Sequence, residues 1–160
     1  MARKKEVKTN AMRILDRTGT DYRVITYECD EFVDAQQIAD QLHQPHERMY
    51  KTLVTKGKSG DYFVFVIPID GELDLKKAAR SVGEKSVEMI HVKDINAVTG
   101  YIRGGCTPIG MKKQFMTVVD KSGEGLEKFY ISGGRIGTQI RLSPGQLVKA
   151  IRGKFEDIVQ

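Results

Sequence analysis

The sequence predicts a single-domain α/β protein whose mixed, mostly antiparallel sheet curls on itself between flanking helices. Three observations lead there. Helix-like and strand-like segments alternate along all 160 residues. Hairpin-type and crossover-type connections both occur, so neither an all-parallel nor an all-antiparallel sheet fits. No Pro/Gly/Ser-rich linker and no internal repeat divides the chain, and its length suits one core. The expected organisation is a charged tail over residues 1–8 and one domain over residues 9–160.

The elements follow in order. Thr9 is an N-cap for a helix carrying Ala11, Met12, Ile14 and Leu15, stopped by Gly19. Tyr22 to Tyr27 is a strand, rich in β-branched and aromatic residues. Asp34 with Gln37 starts a second helix whose face is Ala35, Ile38, Ala39 and Leu42. Tyr50 to Thr55 and Tyr62 to Ile67 form a hairpin across the turn residues Lys56 to Gly60. Asp74 caps a helix ended by Gly83. Short strands are expected around Val87 to Ile90, Thr117 to Asp120, Lys128 to Ser132 and Thr138 to Leu142. Ser143-Pro144 opens the last helix, with Pro at the first helical position, and Phe155 to Val159 is a final strand.

Composition excludes several classes. Hydrophobic residues make up 40% and charged residues 29%, an ordinary globular balance. No apolar run is long enough to span a membrane. The basic N-terminus leads into no apolar segment, so the expected location is the cytoplasm. Cys29 and Cys106 are too few and too far apart for a disulfide framework or a C-x-x-C site. His43, His46 and His91 match no metal motif, and His43 and His46 are expected to be exposed loop residues. Neither a metal nor a cofactor is expected. Lys and Arg exceed Asp and Glu by 26 to 21, a net charge of +5. That bias suits a phosphate-bearing partner but is common without one.

Two glycine-rich segments and one lysine could carry chemistry. Thr99 to Lys113 holds Gly104, Gly105, Cys106, Thr107, Pro108 and Gly110. Adjacent glycines let backbone N–H groups approach a phosphate or a developing oxyanion, although such a loop can equally be a plain turn. Ser132, Gly133, Gly134 and Arg135 form the second segment. Its spacing is wrong for a dinucleotide loop, and it lacks the Walker lysine. Lys51 sits in an apolar strand beside Thr52, where it points either to solvent or to an anion in a cleft. Cys106 could be a nucleophile, but no partner base is identifiable, and a small packing role is favoured. Three scattered histidines make no Ser-His-Asp arrangement. A nucleotide-phosphate enzyme lacks its lysine and its metal.

The motifs Tyr50-Lys51-Thr52-Leu53-Val54, Leu73 to Ala79, Val87-Glu88-Met89, Thr99 to Lys113 and Ser132 to Arg135 resemble, in this order, the YbaK/EbsC family. Its members are relatives of the editing insertion domain of bacterial prolyl-tRNA synthetase, and the likeness runs from about Asn10 to Val159. The resemblance implies a partly closed mixed sheet and trans-editing deacylation of misacylated tRNA, with Cys-tRNA(Pro) as typical substrate. It implies a tRNA 3′ end as partner, with prolyl-tRNA synthetase as a second. It makes Lys51 the essential lysine gripping the terminal nucleotide, with Tyr27 lining the pocket. Gly104 and Gly105 would embrace the aminoacyl group, and Ser132 and Gly133 would stand opposite. It also implies that the substrate's own sulfur attacks its ester. The chain departs from the family pattern at Thr107, where Ser is common, at Gln146, where an acid is common, and at Ile136, where a basic residue is common. Ala-tRNA(Pro) hydrolysis and a noncatalytic tRNA- or synthetase-binding module are the alternatives.

Overall fold

Local sequence chemistry places most of the helices. The computed structural model describes residues 7–28 and 35–160. Thr9 Oγ1 accepts the Met12 N–H and starts α1 (Asn10–Arg17), which buries Ala11, Met12 and Leu15. After β1 (Tyr22–Thr26) comes α2 (Ala35–Gln41); the expected cap Asp34 and Cys29 lie outside the described residues. A 3-10 turn (His46–Arg48) leads into the predicted hairpin of β2 (Tyr50–Gly57) and β3 (Tyr62–Pro68). Asp74 Oδ1 accepts the Lys76 and Lys77 N–H groups, each at 3.0 Å, and opens α3 (Leu75–Ser81). β4 (Val87–Met89) follows, then α4 (Ile95–Thr99), closed by Gly100 at φ +85°. β5 (Met116–Asp120), β6 (Phe129–Ser132), β7 (Thr138–Leu142), α5 (Pro144–Ile151) and β8 (Lys154–Glu156) complete the order. The last strand begins one residue earlier than expected and stops at Glu156. Val159 reaches the Leu73 backbone only as an isolated bridge.

The strands form two open sheets rather than one partly closed sheet. One has the order β1-β7-β6, antiparallel throughout. The other has the order β4-β2-β3-β5-β8, with β3–β5 and β5–β8 parallel and the rest antiparallel. The α/β class and the mostly antiparallel pairing hold; closure does not. β4 pairs with only three residues of β2 before the chain turns away at Val92–Asp94. No ladder joins β2 to β6: the backbones meet at the isolated Met49–Tyr130 bridge just before β2, and Tyr50 packs its ring on Phe129.

Burial ties the sheets together. Val66, Val119 and Tyr50 of the larger sheet pack with Phe129, Ile131, Ile140 and Leu142 of the smaller, closed by α1 and α5. The opposite face of the larger sheet buries Phe63, Phe65, Ile67 and Val118 beneath α3. A third cluster seats Ile38 and Ala39 of α2 on Met49, Ile69 and Tyr130. Each large side chain buried this way stabilises the fold by about 1.5–3 kcal/mol.

Candidate active site

The split between the sheets leaves part of β2 without a partner strand. Gly57 N–H to Asp61 O and Ile69 N–H to Met49 O fix which β2 residues point toward β3. In an antiparallel ladder the direction alternates, so Tyr50, Thr52 and Val54 turn their main-chain groups the other way. Val54 O accepts the Ile90 N–H on that side. At Thr52 β4 no longer pairs. The Thr52 hydroxyl is buried there without a hydrogen-bond partner.

A cleft of about 430 Å³ opens against this edge, within the range of small-ligand pockets. Lys51, Thr52, Gly104, Cys106 and Ser132, all predicted from sequence, line it together. Lys51 is half-buried, and its ammonium makes no hydrogen bond or ion pair among the described residues. Arg103 adds a second cation to the wall. Burial pushes the Cys106 thiol up to about 11, which disfavours a thiolate at neutral pH.

The glycines divide the labour of the loop. Gly104 takes φ +85°, a left-handed conformation suited to glycine. Gly105 N–H donates to Ile102 O at 2.9 Å, so it is spent on the turn and cannot donate to a ligand as well. The Gly104 and Cys106 N–H groups make no hydrogen bond among the described residues. A Cβ on Gly105 would stand 2.9 Å from Arg135 Cα, which shows the two glycine-rich segments pressed backbone to backbone. Tyr101 Oη donates to Ile109 O at 2.6 Å and pins the loop's far end.

The other expected site residues lie behind the wall rather than on it. Gly105, Thr107 and Pro108 are buried, and the Thr107 hydroxyl has no partner. Gly133 packs on Thr138, where a Cβ would meet its methyl at 2.6 Å. Gly134 N–H donates to Ser132 Oγ. Arg135 donates to Thr138 Oγ1 and to Val7 O, so its guanidinium ties the N-terminal segment to the loop. Tyr27 packs with Ile25 against the α2 cluster, and its N–H donates to Gly137 O. Gln146 is exposed on α5, away from the cleft lining.

Sequence reasoning missed Gln36, Ile38 and Ile69 on one side, Ile90, Val92 and Ile95 on another, and Gln139 at the base. Gln139, a polar residue of β7, is buried between Thr138 and Ile140. His46 also differs from expectation. Its Nδ1 and Nε2 lie 2.8 Å from Asp70 and 2.9 Å from Asp40, so it bridges α2 to the loop after β3 rather than standing free. Hydrogen bonds to Asp40 and then Asp70 raise its pKa above the usual 6.5. The bond to His46 lowers Asp70, and the Lys51 charge acts the same way.

These features define a positioning pocket: cations and a main-chain strand edge line a cavity in which no activated nucleophile stands among the described residues. The family model described as the aminoacyl-tRNA editing domain matches residues 29–150. A relative from Enterococcus faecalis, named as a candidate Cys-tRNA(Pro)/Cys-tRNA(Cys) deacylase, EbsC, is 43% identical over 99% of this chain and 98% of its own length. The proline–tRNA ligase of Fervidobacterium nodosum is 31% identical over 62% of this chain, which corresponds to 17% of the ligase. Among solved structures, a hypothetical protein superposes with TM-score 0.88 at 23% identity, over 95% of this chain and 100% of its own. One described as a candidate trans-editing enzyme for prolyl-tRNA synthetase does so with TM-score 0.83 at 22% identity, over 97% and 99%. The chain belongs to the aminoacyl-tRNA editing domain family.

Proposed function

We propose that the protein is a trans-acting aminoacyl-tRNA deacylase that removes cysteine from Cys-tRNA(Pro), using the substrate's own sulfur as nucleophile. One observation carries the reading: Lys51, the unpaired Thr52 edge and the Gly104 turn share one cleft whose only thiol among the described residues, Cys106, is pushed up to about 11 by burial. Such a site can orient and polarise, and no side chain described in it is an activated attacking group.

The step balances without one. The cysteine sulfur bonds to the ester carbonyl carbon, the bond from that carbon to the ribose 3′ oxygen breaks, and the thiol proton passes to the departing oxygen. The products are free tRNA and a cyclic thiolactone. Lys51 binds the terminal nucleotide's phosphate or ribose. The Gly104 and Cys106 N–H groups serve the carbonyl oxygen as negative charge develops, each worth roughly 3 kcal/mol by analogy with other oxyanion holes. Gly105 serves by keeping the turn in shape. Holding sulfur and carbonyl in near-attack geometry supplies several kcal/mol more, on the order seen in intramolecular reactions.

The test is deacylation by the purified protein of Cys-, Ala- and Ser-tRNA(Pro) side by side, with Cys106→Ala alongside. Rapid loss of cysteine alone, retained by Cys106→Ala, is the expected result. A folded but inactive Cys106→Ala would replace substrate thiol with protein thiol, and equal cleavage of Ala-tRNA(Pro) would point to water as the nucleophile.

A further inference from the structure

The outer face of the smaller sheet carries a row of charge that its own packing does not explain. Arg23 of β1 stands directly opposite Arg141 of β7, and Arg141 stands opposite Tyr130 of β6. Like charges set opposite each other across an antiparallel pair destabilise it. Lys128, just before β6, joins the two arginines around one surface hollow, with Asp21 its sole carboxylate. The side chains of Arg23, Arg141 and Lys128 make no ion pair or hydrogen bond among the described residues, Asp21 included.

The position of the row gives it meaning. Side chains two apart on a strand share a face. Gln139 and Ser132 form the next cross-strand pair on the same face, and both line the cleft. The basic row therefore lies one step, about 7 Å, along the sheet from the cleft base. A cluster of three cations with one carboxylate suits a run of phosphodiesters. A single small anion would leave much of it unused.

We propose that Arg23, Arg141 and Lys128 dock the RNA backbone that leads away from the 3′ end seated in the cleft, so that the protein grips the acceptor arm of its substrate as well as the terminal nucleotide. This rests on the cleft receiving an aminoacylated 3′ end. The partner is the sugar–phosphate backbone, read by charge and without base specificity.

The experiment separates the two claims. Fluorescence anisotropy with uncharged tRNA(Pro) measures binding without turnover, for the wild type, Arg23→Gln/Arg141→Gln and Lys128→Gln, from 50 to 300 mM salt. Turnover is then compared on Cys-tRNA(Pro) and on a cysteinyl ester of a short CCA oligonucleotide. The double variant is expected to weaken tRNA binding by about tenfold or more near 0.1 M salt and to reduce the log–log salt slope by about 1.5 to 2. Its KM should rise on Cys-tRNA(Pro), while turnover of the short ester stays within twofold. Its melting temperature should equal or exceed the wild type's, since a like-charge pair is relieved. Unchanged affinity and slope overturn the proposal, and so does an equal loss on both esters. Intact tRNA binding with lost affinity for prolyl-tRNA synthetase assigns the patch to a protein partner and overturns it too. If no ester is cleaved by any protein, the deacylase reading fails, while the anisotropy still decides the patch.

Discussion

Gly105 and Cys106 are neighbours whose roles differ from what their chemistry first suggests. Gly105 fills no ligand-facing role through its own N–H, which Ile102 O occupies; it exists so that two backbones can touch. Gly105→Ala should therefore destabilise the fold by about 1–3 kcal/mol, as overpacking does. Gly125→Ala, with nothing within 4 Å of the added methyl, should be near neutral; urea unfolding of both checks this. Lys51→Ala should leave stability close to wild type yet lower kcat/KM by about 10- to 100-fold, the worth of a charge-assisted contact to substrate; steady-state kinetics on Cys-tRNA(Pro) reads it. Lys51 and the glycine pairs were legible because an unexpected residue type in a strand and a repeated glycine are local signals. Which glycine spends its N–H inside the turn was not legible, since the Gly105 bond to Ile102 O exists only once the loop has its folded shape. The lining role of Ile90, Val92 and Ile95 was equally hidden, because apolar residues look alike until the walls assemble.

Among the elements, α2 is the wall held by ionisable side chains. His46 bridges Asp40 on the helix to Asp70 on the loop after β3, and Gln36 Nε2 donates to Ile69 O at 2.8 Å. The folded-state pKa of His46 is raised above 6.5, so its contribution is complete below pH 6.5 and fades as pH rises through the raised value. The folded-state pKa of Asp70 is lowered below 3.8, so its contribution is lost only as pH falls through that lowered value. The clamp is strongest between pH 3.8 and 6.5. The wild type should exceed His46→Gln in melting temperature by most at about pH 5.5, with the gap shrinking toward about pH 8.5; thermal melts across that range test the sign. Most of the expected elements are present because caps, turns and alternation act locally: Thr9, Asp74 and Ser143 each accept the N–H groups their positions demand. α4 was not legible. It spans five residues, three of them β-branched, too short to show a helical period.

At the scale of the whole molecule, the cleft exists because the two sheets fail to close. β2 is laddered into one sheet along its length and joined to the other by no ladder, only by side-chain packing and one isolated bridge beside it, and the gap is where Lys51, Thr52, Gly104 and Ser132 meet. Alternation predicted each strand but could not reveal this split, because sheet order is a property of non-local pairing. In the proposed mechanism, a gap lined by donors and cations, whose one thiol among the described residues is pushed up by burial, leaves the substrate's sulfur as the reactive group. The most direct test is the cleavage rate of Cys-tRNA(Pro) beside the same ester with its sulfur methylated. The account predicts that methylation slows cleavage at least about a hundredfold while the methylated substrate still competes for binding, since the lost term is intramolecular attack. Equal cleavage of both esters would contradict it.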